Sequence, residues 1–160
     1  MPFTPYHSGV GILTKSIMMG RFSLVVFLWS QFLYDLEVLI NIQLGSNRLH
    51  TWSHTIIGMF GIALITVATA KPMYRVLAKL IQDLWKLPEC PTWKVIIYSS
   101  FIGVTTHLPL DAIMHYDVRI FHPFSNTNSL YELISVVALH NMLLFFTLVG
   151  GIIWFVRRNK

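Results

Sequence analysis

Thr106-His107-Leu108-Pro109-Leu110-Asp111-Ala112-Ile113-Met114-His115-Tyr116-Asp117 closes an apolar run that begins near Thr92. Two imidazoles and two carboxylates stand at the end of a segment otherwise suited to lipid, where an unpartnered ionisable group is strongly disfavoured. In a helix, residues four apart drift only about 40° around the axis, so His107, Asp111 and His115 are expected to line one stripe. A divalent metal or a proton relay requires such a stripe.

Composition sets the surroundings. Of 160 residues, 54% are hydrophobic and 12% charged, a balance far from that of a soluble domain. The chain reads as one all-α domain over residues 1–160, a polytopic membrane bundle of four to five helices. The single cysteine, Cys90, excludes an internal disulfide and a Cys-rich zinc motif, leaving His and carboxylate as metal ligands. The net charge of +5 comes from cations scattered in short loops, which argues for membrane topology and against a nucleic-acid partner. No basic segment precedes the first apolar stretch, so no signal peptide is expected.

Segments follow from hydropathy and breakers. His7–Met19 is a short helix of roughly 20 Å, too short to span alone. A turn at Gly20-Arg21 leads to SLVVFLWSQFLYDLEVLINI (residues 23–42), which can cross, and the hairpin is expected to return Asp35 to the face carrying His7. Residues 44–53 form a loop, with Ser53 the expected N-cap of a helix over 54–70 ending at Lys71-Pro72. Residues 73–87 (MYRVLAKLIQDLWKL) place Met73, Val76, Leu77, Leu80, Leu84 and Leu87 on one face, as an amphipathic interfacial helix would. A further crossing spans Thr92–Met114, a polar loop 116–129, and a last helix Leu130–Val156.

Threading these helices up and down assigns every charge a side. Lys15, Arg21, Lys71, Arg75, Lys79, Lys86, Lys94, Arg157, Arg158 and Lys160 share one side, leaving only Arg48 and Arg119 opposite. By the positive-inside rule the basic side is cytoplasmic, with the C-terminus and Cys90 there. The histidines and the acids Asp35, Glu37, Asp111, Asp117 and Glu132 fall on the extracytoplasmic half. The cytoplasmic halves of the crossings read as almost wholly apolar.

The expected site gathers His7, Asp35, His54, His107, Asp111 and His115 as ligands of one or two divalent ions, with Zn²⁺ favoured and Mn²⁺ or Fe²⁺ also suited to this donor set. Glu37 and Asp117 are candidate bases or partners orienting the imidazoles. Arg119 and His50 are candidate substrate contacts, Arg119 as a clamp on phosphate. Taken singly, His50, His122 and His140 read as interfacial anchors, Asp35 with Glu37 as a solvated helix end, and Asp117 as a turn residue.

Pro2-Phe-Thr-Pro-Tyr-His7, Asp35-Leu-Glu37, His50-Thr-Trp-Ser-His54-Thr, His107 to Asp117 and Phe121-His-Pro-Phe124 together resemble the bacterial inner-membrane proteins described as membrane-bound metal-dependent hydrolases. The resemblance covers nearly the whole chain and implies that His7, Asp35, Glu37, His54, His107 and Asp111 form the site. Tyr34-Asp35 stands where that family commonly has Pro-Asp. A fainter likeness to the all-α zinc-dependent phospholipase C fold implies phosphate-ester or lipid substrates. The expectation is a metal-dependent hydrolase of the bacterial inner membrane. The alternative is a metal or proton carrier or channel subunit using the same groups, and an inert scaffold is the third possibility.

Overall fold

The computed structural model describes residues 5–81 and 89–158. Five α-helices follow one another: α1 Ser8–Met18, α2 Leu24–Gln43, α3 Ile56–Ile81, α4 Trp93–Met114 and α5 Val136–Arg158, with 3-10 turns at Pro5–His7 and Met19–Arg21. The all-helical membrane class expected from composition is what the chain adopts. Among the described residues three helices, α2, α3 and α5, are long and apolar enough to cross a bilayer. Helix α4 is equally long but more polar, carrying Ser99, Ser100, Thr105, Thr106, His107 and Asp111, and it buries nine residues inside the bundle.

Each long helix starts on a hydroxyl cap. The side chains of Ser23, Thr55, Thr92 and Ser135 accept from the backbone N–H of Val26, Gly58, Val95 and Ala138, satisfying donors that the first turn leaves open. The cap of α3 is thus Thr55, two residues beyond the expected Ser53, whose hydroxyl is committed elsewhere. Helix α2 stops in a Schellman arrangement: Gly45 sits at φ +64°, its N–H reaches Ile42 O and that of Ser46 reaches Asn41 O.

Three boundaries differ from the sequence reading. Helix α3 does not end at Lys71-Pro72 but carries Pro72 within it and continues to Ile81. Past the proline, Met73, Val76, Leu77 and Leu80 line a groove of about 660 Å³ with Val25, Leu28, Trp29 and Phe32 of α2, Val76 and Leu80 staying largely exposed. Arg75 and Lys79 are exposed, as an amphipathic segment requires. The remainder of the expected interfacial helix, including Leu84, Lys86 and Leu87, lies outside the described residues. Helix α5 begins at Val136 rather than Leu130, because Asn128 holds Leu130 N in a turn and Ser135 supplies the cap. Helix α4 ends at Met114, so His115 is its extended C-cap and leaves the expected helical stripe. Asn128 completes that end by donating to Ala112 O and His115 O, at 2.8 and 3.0 Å.

Helices α2, α3 and α4 form the core, around Tyr34, Ile62, Val104, Leu108 and Ala112 at one level and Val26, Ala70 and Ile96 at another. Helix α1 doubles back on α2 and packs parallel to α5. Glycines allow the close approach: a Cβ at Gly9 would lie 2.3 Å from Leu143 O, and one at Gly150 would lie 2.8 Å from Leu13 Cα. The Lys15 ammonium donates to Met19 O and Phe22 O, and Arg157 donates to Ser16 O and Ile17 O, so two cations satisfy the carbonyls at the exit of α1. This connectivity places His7, the 44–55 loop and the 115–135 loop at one end, and Lys15, Arg21, Lys94 and Arg157 at the other.

The half of the bundle away from the histidines is less apolar than expected. Ser23, Ser99 and Ser100 are buried along the α2–α4 contact, where Ser23 N–H donates to Ser99 Oγ at 2.8 Å, and buried Ser30 and Gln31 carry the polar line on toward the histidines. A Cβ on Gly103 would come within 2.0 Å of Ser30 Oγ, so this seam is tightly packed.

Candidate metal centre

Helix α4 supplies His107 and Asp111, one turn apart and both buried. Gln31 Nε2 donates to Gly103 O at 3.0 Å, which turns its amide oxygen toward His107 Nδ1, 2.8 Å away. The His107 Nδ1–H therefore donates, and Nε2 keeps its lone pair. That lone-pair nitrogen has no hydrogen bond, yet lies 3.1 Å from Asp111 Oδ2 and 3.8 Å from Asp35 Oδ1. Tyr34 stacks on the ring with centroids 4.3 Å apart and planes at 11°, fixing its orientation.

The same arrangement recurs at His50. Its Nδ1–H donates to Asp117 Oδ1 at 2.8 Å, while Asp117 Oδ2 accepts from the backbone N–H of Leu49 and His50. His50 Nε2 is buried, without a hydrogen bond, 3.9 Å from Asp111 Oδ2. His7 Nε2 is equally without one, 3.4 Å from Asp111 Oδ1. Three buried imidazole nitrogens without hydrogen bonds thus face the Asp111 carboxylate, and Asp35 Oδ1, also without one, lies beside His107 Nε2.

Such atoms are costly unless something meets them. Metal–donor bonds of about 2.0–2.2 Å at tetrahedral angles put neighbouring donors roughly 3.4 Å apart; His7 Nε2 and His107 Nε2 lie 3.4 and 3.1 Å from the two oxygens of Asp111, and one donor atom from each of the three lies within 4.8 Å of the others. An imidazole with one nitrogen on a carboxylate or amide and the other bare is the usual form of an oriented metal ligand. The residues present fit a divalent ion.

His54 and Glu37 are placed differently. Glu37 accepts from the backbone N–H of Thr51, Trp52 and Ser53 and from the hydroxyls of Thr51 and Ser53, so it holds the loop that carries His50 and His54. His54 Nε2–H donates to Asp111 Oδ2 at 3.0 Å, and its Nδ1 lies 2.8 Å from Ser53 Oγ and 3.5 Å from Glu37 Oε2. Burial pulls the His54 pKa down, but Asp111 and Glu37 on either side outweigh it and raise it to about 9. Expected as a ligand, His54 has both nitrogens engaged and braces Asp111. Glu37, expected as a base, has both oxygens occupied.

His115 leaves the helix axis and stacks on His50, centroids 4.3 Å apart, within reach of Asp111. Two groups of donors able to hold an ion result: His7, His107 and Asp111, all buried, and His50, Asp111 and His115, the last half-buried. Burial lowers the pKa of His7 to about 3 and that of His115 to about 4, so both imidazoles are neutral and able to ligate at ordinary pH. Burial alone would raise the Asp117 carboxyl, but His50 and the Leu49 N–H hold it well below the usual carboxylate range.

Other candidates stay outside. Arg119 donates to Asn126 Oδ1 at 3.0 Å, His122 lies 3.1 Å from the same oxygen, and His140 stacks on Tyr6. Asp117 bonds His50, not Arg119. Gln31, Tyr34, Thr51 and Ser53 are the residues that sequence reasoning missed. The signal for Gln31 was its position one helical turn before Asp35 inside an apolar run. Thr51 and Ser53 had none, because loop polarity is ordinary.

The fold and the cluster define a helical membrane protein with a buried imidazole–carboxylate group at one end of its bundle. The chain belongs to the family described as Domain of unknown function (DUF4184), whose profile matches residues 1–158. No curated protein and no solved structure matches it.

Proposed function

We propose that this protein is a membrane-bound, divalent-metal-dependent hydrolase, with Zn²⁺ the ion best suited to its imidazole and carboxylate donors, acting on a phosphate ester or a lipid-borne bond at the extracytoplasmic interface of a bacterial inner membrane. The observation carrying this reading is the convergence of three bare imidazole Nε2 atoms, of His7, His50 and His107, on Asp111. An ion held there supplies Lewis acidity and lowers the pKa of bound water to about 7. His7, His107 and Asp111 hold it, with Asp35 as a further donor. Gln31 and Asp117 fix the tautomers of His107 and His50, and protonated His54 offsets the local negative charge. The orientation rests on the cations gathered at the end opposite the site.

The test uses the full chain in detergent micelles or nanodiscs, stripped with chelator and refilled with Zn²⁺, Mn²⁺ or Fe²⁺, then given phosphate mono- and diesters and phospholipids. Metal-dependent turnover, lost in His107→Ala while the helical circular dichroism persists, is the expected result. Failure to bind any ion after refilling overturns the reading.

The buried hydroxyl seam from Ser99 to Gln31 favours a second reading, in which the same groups pass a metal ion or a proton across the bilayer. Close packing at Gly103 and Ser30 argues against it. Metal or proton flux in proteoliposomes without hydrolysis would select it.

A further inference from the structure

Asp111 belongs to both groups of donors, and the two groups meet different surroundings. His7 and His107 are 3% and 0% exposed, and the orphaned nitrogens of both face Asp111 from inside the bundle. His50 and His115 instead form the wall of a cavity of about 320 Å³, bounded further by Ser46, Asn47, Leu49, Met114 and Tyr116 at the loop end of the bundle. Asp111 offers Oδ1 to His7, at 3.4 Å, and Oδ2 toward His107 and His50, at 3.1 and 3.9 Å. Oδ2 also accepts the His54 N–H, and the carboxylate is common to both donor groups, as a group bridging two ions must be.

We propose that the centre is dinuclear, bridged by Asp111, with an inner closed ion on His7 and His107 and an outer ion on His50 and His115 that alone faces the cavity of Ser46, Asn47, Leu49 and residues 114–117, where substrate and water arrive. This inference rests on the metal-dependent reading above and assigns the open coordination position to the outer ion. His115 is its natural probe. It is half-buried and caps α4 with its backbone, and it stands outside the His7–His107–Asp111 group, so His115→Ala is expected to keep that group and the fold.

The experiment counts metal per full-length chain by elemental analysis after stripping and refilling with Mn²⁺, records the Mn²⁺ paramagnetic resonance spectrum, and follows chelator-driven release over time. Two ions per chain are expected, with an exchange-coupled spectrum and release in two phases, the outer ion leaving first. His115→Ala is expected to hold one ion, to lose the coupling and to lose the fast phase. His7→Ala is expected to hold one ion and lose the slow phase, while Asp111→Asn loses the coupling. One ion per chain at saturating Mn²⁺, unchanged in His115→Ala, overturns the dinuclear assignment and leaves the hydrolase reading standing. No ion at all overturns both.

Discussion

His50 and Asp117 form a side-chain pair, Nδ1 to Oδ1 at 2.8 Å, and the same carboxylate also accepts the His50 backbone N–H. One acid therefore sets the position of the residue and the tautomer of its ring, turning the bare nitrogen toward Asp111.

Asp117→Asn keeps the size of the side chain but replaces a charged acceptor with an amide. The loss expected is about 10–100-fold in metal affinity, the usual consequence of weakening a group that orients a ligand. Competition with a chromophoric chelator measures it, and an unchanged affinity would remove Asp117 from the site.

Gln31→Leu leaves the buried His107 Nδ1–H without an acceptor. A destabilisation of about 1–3 kcal/mol is expected from that group alone. Metal affinity falls as well, because His107 is then free to adopt the other tautomer. Thermal unfolding in detergent, with and without Zn²⁺, separates the two effects: the stabilisation given by metal should shrink in the variant.

Gly58→Ala tests the joint between α3 and the site loop. The added Cβ would lie 1.9 Å from Trp52 O, whereas at Gly61 the nearest contact is Trp52 Cζ3 at 3.5 Å. Gly58→Ala is expected to lower stability by about 1–3 kcal/mol, as overpacking does, and to displace His50 and His54. Gly61→Ala should be near neutral. Equal melting temperatures for the two variants would contradict the geometry.

Cys90, exposed at the basic end, reports orientation. In intact cells a membrane-impermeant maleimide should leave Cys90 unlabelled and should modify Ser46→Cys in a Cys90→Ser background. The opposite pattern would invert the topology and move the site to the cytoplasm.

Much of the frame was legible before any coordinates, since lipid allows few alternatives to helices and Pro, Gly and polar runs mark where they stop. Asp35 and His7, which the hairpin was expected to bring to one face, both approach His107. The break at Pro72 misled, since α3 carries the proline within it, losing one backbone N–H donor, and runs on to Ile81. The helical stripe through His115 also misled, since the backbone turns at Met114 and the ring reaches the cluster by stacking on His50. Ligand and brace are not separable by residue type: His54 and His50 look alike in sequence, and only the hydrogen bonds around them show which nitrogen remains bare. Glu37 could not be read as a loop anchor, because its partners are mostly backbone amides, which every sequence supplies.

The clamping of α1 by Lys15 and Arg157, together with its glycine-lined seat on α5, bears on the order of biosynthesis. Helix α1 leaves the ribosome first and α5 last of the five, yet His7 enters the cluster through α1 and α1 rests on α5. A nascent chain can assemble His50, His107 and Asp111 once α4 is inserted, but His7 gains its seat only when α5 joins. A chain cut short before α5 would leave Gly9, two residues past His7, without the Leu143 backbone it packs against.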